Sequence, residues 1–273
     1  MQRVDLHIHT HASDGHFAPA EVVRMATAGR LDVIAISDHD TVCGVAEAVK
    51  AAAGLPLRVV PAVEISTRHG DREFHVLGYF VDVDSSVMQR HQELARIRRI
   101  ERIKEMIERL QGFGVAVEYE DVARAAGPEA SSIGRPHLAR ALLERGHTRS
   151  FAEAFDRYIG DRGPAFVRSD FPGVREAIES IRTAGGVAVW AHPDVAAFDL
   201  HVREFASWGL NGVECYRPNT SPTESQLFEA ASRSLGLFRT GGSDWHGSHR
   251  GPLGEFAVAY RDVRELLDAY LPV

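Results

Sequence analysis

Seven short apolar runs rich in β-branched residues punctuate this chain, and most are followed by a stretch with helical periodicity. They are Val4–Ile8, Asp32–Ser37, Leu57–Val63, Phe74–Val81, Val187–Ala191, Gly212–Cys215 and Leu237–Thr240. Helical spacing of apolar residues fills several of the gaps, as in Pro19–Ala28, Val42–Ala53, Val174–Ala184 and Pro222–Leu235. Strands hydrophobic throughout bury both faces, and their alternation with helices favours βα units wound into a parallel sheet. A closed barrel with its helices outside is the simplest way to bury so many of them. The expected fold class is α/β, a barrel of seven strands.

Between the fourth and fifth runs the alternation stops. Ile97, Ile100, Ile103, Ile107 and Leu110 form one apolar stripe, and Arg98, Arg99, Arg102, Glu105, Glu108 and Arg109 populate the remaining surface of the same helix. Such charges read as a solvated face with i,i+4 pairs. Helices over Pro136–Arg145 and Phe151–Tyr158 follow. The expected organisation is a barrel built from residues 1–84 and 164–273, with 85–163 inserted as a helical subdomain capping the substrate.

A chain of 273 residues has room for one core with such an insertion. Cys43 and Cys215 read as reduced packing thiols. The amino terminus runs directly into a strand, without the pattern of a leader, and no apolar run reaches the ~20 residues of a membrane span. A cytoplasmic location and no membrane partner are expected. The net charge of −7 disfavours a surface that coats duplex nucleic acid, which needs a basic face to displace counterions. A small anionic substrate remains compatible, since bound cations and a few arginines can meet its charge locally.

The sharpest chemical signal is Asp5-Leu6-His7-Ile8-His9-Thr10, followed by Ser13-Asp14-Gly15. Residues two apart on a strand point the same way, so His7 and His9 present two imidazoles in parallel, as a pair of ligands to one cation requires. Burying such a pair in an apolar strand is costly unless something coordinates or hydrogen-bonds it. Later runs end in further metal-binding groups: Ser37-Asp38-His39-Asp40, Val63-Glu64, Ala191-His192-Pro193 and Gly242-Ser243-Asp244-Trp245-His246. The fourth run carries His75 near its start. In a parallel barrel the carboxyl-terminal strand ends share one face, which would gather these residues into one pocket. Imidazole and carboxylate without thiolate suit Mn, Fe or Zn. Asp38 and Asp40 flank His39 and read equally as groups that orient its ring or as caps of the helix starting near Thr41. His11, His16, His69, His91, His147, His201 and His249 fit no motif and read mostly as surface residues.

In these motifs and their order the chain resembles the PHP family, named for the domain shared by bacterial DNA polymerases and histidinol phosphatase. The likeness covers most of the chain and implies a distorted (β/α)7 barrel holding two or three divalent cations, Mn²⁺ first, with Zn²⁺ or Fe²⁺ as alternatives. Carried over residue by residue, it implies one ion on His7, His9, Glu64 and Asp244, and a second on Glu64, His75 and His192. A third would sit on Asp14, His39 and His246. Two such cations can activate a water and neutralise the charge growing on phosphate oxygens. Asp244, His192 and His246 are the candidates to protonate the leaving alkoxide.

For the substrate, Pro136 at a helix start would aim Arg135 and His137 toward the open side, and Arg217 lies just beyond the sixth run. A guanidinium fork matches phosphate oxygens in pairs, so these three are the expected phosphate clamp. The Arg135-Pro136-His137 element is similar to the bacterial branch of the family that acts on 3′,5′-nucleoside bisphosphates and, in some members, hydrolyses short RNA from 5′ to 3′. The expected activity is therefore metal-dependent phosphomonoester hydrolysis of such a bisphosphate, for example adenosine 3′,5′-bisphosphate, or of short oligoribonucleotides. The alternatives are a histidinol-phosphate phosphatase and a non-catalytic metal-binding or proofreading module.

Overall fold

The computed structural model describes residues 2–271. In chain order the elements are β1 (Arg3–Ile8), α1 (Pro19–Ala28), β2 (Val33–Ile36), α2 (Val45–Ala51), β3 (Arg58–His69), β4 (Arg72–Tyr79) and α3 (Ser86–Gly112). Then come α4 (Tyr119–Ala126), α5 (Arg135–Glu144), α6 (Phe151–Ala154, continued by one π turn), α7 (Val174–Thr183), β5 (Val187–Trp190) and α8 (Val195–Ser207). The chain closes with β6 (Gly212–Tyr216), α9 (Pro222–Leu235), β7 (Phe238–Gly241), β8 (Val258–Ala259) and α10 (Tyr260–Tyr270).

All eight strands form one sheet in the order β7-β6-β5-β4-β3-β2-β1-β8. Its two ends nearly meet. Gly242, just past β7, lies so close to β1 that a Cβ there would fall 2.4 Å from the Cβ of His7. Beyond it, the His9 amide donates to the Trp245 carbonyl at 2.9 Å. The sheet with its surrounding helices is thus an almost closed α/β barrel. The seven expected strands are present, and the short β8 adds an eighth by pairing antiparallel to β1.

The sheet is mixed, which corrects the all-parallel expectation. β1 to β3 run parallel, as do β5 to β7, but β4 is antiparallel to both of its neighbours. The cause is local. Only Gly70 and Asp71 separate β3 from β4, and a parallel return needs a crossover of a dozen residues or more. Gly70 adopts φ 59°, the left-handed conformation a two-residue hairpin turn demands.

Apolar packing divides into three clusters. The largest lies between strands and outer helices and includes Ile34, Ile36, Val63, Val76, Trp190 and Phe205. A second joins Val4, Leu6, Val60, Leu77 and Val189 to Leu266 and Leu267 of α10. A third belongs to the helices between β4 and β5, where Ile103, Met106 and Leu110 of α3 meet Val122 of α4 and Leu138 and Leu142 of α5. Ile103, Ile107 and Leu110 of the α3 stripe are buried as its spacing implies, Ile100 is half-buried, and Ile97 at its start is 40 % exposed. Two buried or half-buried arginines on the same helix reach back to the barrel. Arg99 pairs with Asp40 at 2.6 Å, and Arg102 pairs with Glu73 at 3.0 Å.

Candidate metal centre

The nine expected ligands come together at one end of the barrel. His7 Nε2 and His9 Nε2 are 3.1 Å apart. Glu64 Oε2 lies 3.2 Å from each, and Asp244 Oδ1 lies 3.4 and 3.3 Å from them. The other oxygen of the same carboxylate, Glu64 Oε1, is 3.0 Å from His75 Nδ1 and 2.9 Å from His192 Nε2, which are themselves 3.1 Å apart. A third group forms around Asp14, with His246 Nε2 at 3.3 Å, His9 Nδ1 at 3.7 Å and His39 Nε2 at 3.9 Å. His75 joins the others because β4 is reversed, so its beginning lies at the end of the sheet where the parallel strands finish.

Donor atoms bound to one cation at the usual 2.0–2.1 Å, in tetrahedral or octahedral geometry, stand about 2.9–3.4 Å apart. The spacings within the first two groups match that interval. Two imidazole nitrogens 3.1 Å apart can share at most one proton, so something else must satisfy the remaining lone pairs. Moreover, the buried His9 Nδ1, His39 Nδ1 and Glu64 Oε2 make no hydrogen bond of good geometry, which protein alone would leave as a penalty of ~1–3 kcal/mol each. The donor set therefore fits divalent cations, and Glu64 turns one oxygen to each of the first two donor groups.

The electrostatics point the same way. Burial opposes charge on His9, yet the Asp244 and Glu64 carboxylates beside it push its pKa up to about 10. His7 is likewise raised against burial, by Glu64, Glu214 and Asp244. Burial pushes the Asp244 carboxyl upward, but the His246, His7 and His9 imidazoles hold it below the ordinary carboxylate range. The nest thus requires positive charge, supplied by protons or by metal. His39, by contrast, is driven down to about 3 by burial and stays neutral, with its lone pair free to coordinate.

Backbone and outer contacts hold these side chains rigidly. His192 and Asp244 sit at φ 33° and 53°, a region that non-glycine residues enter mainly under tertiary constraint. Glu214 on β6, fully buried, accepts from His7 Nδ1 at 3.0 Å and from the His192 amide at 2.7 Å. It is absent from the ligands expected from sequence, although its place inside an apolar strand two residues before Tyr216 was a signal. Asp5 is absent from them too. It accepts from the amide and hydroxyl of Ser243, tying the end of β7 to β1, and burial pushes its carboxyl up to about 6.

Both roles expected for Asp38 and Asp40 are corrected. Asp38 accepts from Thr10 and Ser13, ordering the loop that carries Asp14. Asp40 accepts from the Ser66 amide and pairs with Arg99 and His91 of α3. Neither hydrogen-bonds the His39 ring, and the residue capping α2 is Gly44.

The three expected phosphate-binding residues separate. Arg135 lines a cleft of about 450 Å³ that also includes His75 and His192, and its guanidinium pairs with Asp161 at 2.6 Å and Glu73 at 3.4 Å. Phe155 and Phe166 lie 5.9 and 5.6 Å from it. His137 does not face the open side. It is 1 % exposed, and its Nδ1 accepts the Gly134 amide at 3.0 Å, closing the first turn of α5. At the third helical position a side chain reaches back to the N-cap amide and not outward, which is the physical reason for this correction. Arg217 donates to the Pro193 carbonyl at 3.0 Å, fastening the His192-Pro193 turn, and does not line the cleft.

A strand-end nest of histidines and carboxylates at the mouth of an α/β barrel defines a metal-dependent hydrolase centre. Comparison with known proteins narrows the class. The PHP domain model matches residues 5–185. A 5′-3′ exoribonuclease from Haemophilus influenzae is 31% identical over 252 residues, covering 90% of each chain. A 3′,5′-nucleoside bisphosphate phosphatase from Chromobacterium violaceum is 30% identical over 259 residues, covering 92% of this chain and 90% of its own. A crystal structure from Bifidobacterium adolescentis, assigned as a metal-dependent phosphoesterase, superposes with a TM-score of 0.89 at 30% identity, covering 100% of this chain and 98% of that one. The chain belongs to the PHP family.

Proposed function

We propose that this protein is a metal-dependent phosphomonoesterase that removes a phosphate from 3′,5′-nucleoside bisphosphates and also accepts short 5′-phosphorylated RNA. One observation carries the reading: the nest bridged by Glu64 opens into a cleft whose wall bears Arg135. The activities named for the Haemophilus and Chromobacterium relatives support the same class.

In this reading His7, His9, Glu64 and Asp244 hold one cation, Glu64, His75 and His192 a second, and Asp14, His39 and His246 a third. Mn²⁺ is our first choice, with Zn²⁺ or Fe²⁺ as alternatives. Bound there, the cations supply Lewis-acid stabilisation of phosphoryl charge and an activated water. The protein's own part is placement. Glu214 fixes His7 as the tautomer whose Nε2 faces the nest, Asp5 and Ser243 fix the loop of Asp244, and Arg135 presents its fork to the phosphate that is not being cleaved. Among Asp244, His192 and His246, Asp244 is the poorest proton donor, because its imidazole neighbours keep it ionised. His192 is committed to the second cation, so His246 takes that role when the third site is empty. The helices over 85–163 act as a cap that supplies Arg135 from α5.

The test is to offer the Mn²⁺-loaded protein nucleoside mono- and bisphosphates, histidinol phosphate and 5′-phosphorylated oligoribonucleotides side by side. Faster turnover of the bisphosphate, lost on chelation and in a folded His9→Ala variant, is expected. Equal rates on mono- and bisphosphate would remove the second-phosphate clamp, and undiminished activity after metal stripping would overturn the reading altogether.

A further inference from the structure

Three metal-ligating side chains gather on the other face of the β3–β4 hairpin. His69 ends β3, and His201 and Glu204 lie three residues apart on α8, hence on one side of that helix. Glu204 Oε2 stands 3.2 Å from His69 Nε2 and 3.5 Å from His201 Nδ1, and the three donor atoms all fall within 4.8 Å of one another. Glu64 and His69 belong to the same strand, five residues apart, so they point to opposite faces of the sheet. At ~3.3 Å per residue they are separated by roughly 16 Å along it. This cluster therefore shares no cation with the centre around Glu64.

The two rings are aimed by packing. His201 stacks on Phe205 at an interplanar angle of 8°, and His69 meets Phe205 and Trp208 edge-on at 5.5 and 5.4 Å. Held in this way, their nitrogens converge on Glu204 with little conformational freedom left to lose on binding. The cluster is still reachable, since the three side chains are between 15% and 44% exposed.

We propose that His69, His201 and Glu204 form a second, independent site for one divalent transition-metal ion of the Zn²⁺ or Co²⁺ type. Two imidazoles and one carboxylate, with water completing the shell, are a sufficient donor set for such an ion. Occupancy would pin the hairpin to α8. The same two elements already meet where Arg72 pairs with Asp194 at 2.6 Å, and Asp194 caps α8 by accepting the Ala197 amide. The ion would supply a second fastening between the hairpin that carries Glu64 and His75 and the helix that follows His192.

The experiment uses the full chain, stripped with chelator and reloaded with excess Co²⁺ before gel filtration. Wild type, His69→Ala and His201→Ala are compared by metal content, visible Co²⁺ absorption and melting temperature. Each variant is expected to retain one ion fewer than wild type and, measured against its own metal-free melting temperature, to lose several degrees of the gain that Co²⁺ confers. In His9→Ala, where the main centre is disabled, the ion on Glu204 should remain, so failure of the phosphoesterase reading and failure of this site are told apart. Equal metal content in wild type and in the folded variants overturns the proposal and leaves a hydrogen-bonded surface contact. Should either alanine variant not fold, Glu204→Gln, changed at the most exposed of the three positions, takes its place: loss of one ion supports the site, and undiminished metal content overturns it.

Discussion

His7 and Glu214, 207 residues apart in the chain, are joined by a 3.0 Å contact between Nδ1 and Oε1, with both side chains fully buried. The imidazole donates through Nδ1, so Nε2 is the nitrogen turned toward His9, Glu64 and Asp244 and the one a cation would take. Replacing Glu214 by Gln removes one of the three carboxylate charges, with Glu64 and Asp244, that make His7 basic. Metal affinity, measured by chelator competition, should fall by roughly 10–100-fold without loss of fold. Unchanged affinity would show that Glu214 merely fills space.

Arg135 is the one expected phosphate ligand that reaches the cleft. In Arg135→Ala, kcat/KM for a nucleoside bisphosphate should drop roughly 10–100-fold, and the monophosphate should be affected far less, because only the former carries a second phosphate to lose. Arg135→Lys should recover part of the loss, since an ammonium keeps the charge but not the fork. A parallel loss on both substrates would assign Arg135 to holding Glu73 and Asp161 in place.

Loading the centre should release protons. With His9 pushed up to about 10 in the metal-free protein, a cation that takes its lone pair must displace a proton at around pH 8. Calorimetric enthalpies of Mn²⁺ or Zn²⁺ binding, compared in buffers of different ionisation enthalpy, should reveal this release. Enthalpies independent of buffer would contradict it.

His137 bears on stability. Burial pushes its pKa down to about 4, against 6.5 for the exposed group, so between these values the unfolded chain binds the proton more tightly than the native one. Its contribution is complete above pH 6.5 and is lost as pH falls through 4, an effect of about 3 kcal/mol over that window. Urea unfolding at about pH 5 and pH 7 should show the decline in wild type. His137→Gln retains an acceptor for the Gly134 amide but does not titrate, and its decline should be smaller. An identical slope in both proteins would move the effect to another group.

The two thiols should differ sharply toward a disulfide reagent. Cys43 is exposed, whereas Cys215 is buried on β6 and its pKa is raised to about 12 by desolvation. One thiol should react within minutes in the native protein and the second only in denaturant. Rapid reaction of both would indicate that β6 opens readily.

Much of this molecule was legible locally. The strand runs and helical periods are short-range properties, and α1 and α9 occupy Pro19–Ala28 and Pro222–Leu235 as their spacing implied. For α9 the start is written into Ser221-Pro222 and Glu224, whose side chains cap each other's amides. The pair His7 and His9 is readable because strand geometry alone puts them on one side, and His39, Glu64, His192, Asp244 and His246 because they sit at or just past the end of an apolar run; His75 lies near the start of its run and Asp14 in the loop after the first. Even the reversal of β4 has a local sign, the two-residue Gly70-Asp71 step between two strands.

What only the tertiary structure decided concerns partners distant in the chain. Nothing near Glu214 in sequence announces His7, nothing near Asp40 announces Arg99, and nothing near Arg217 announces the Pro193 carbonyl to which it donates. A side chain's type and its place on a strand or helix follow from covalent geometry and local hydrogen bonding. The group it faces follows from how β7 closes against β1 and how α3 and α5 settle over the mouth, and those distances depend on packing summed over the whole chain.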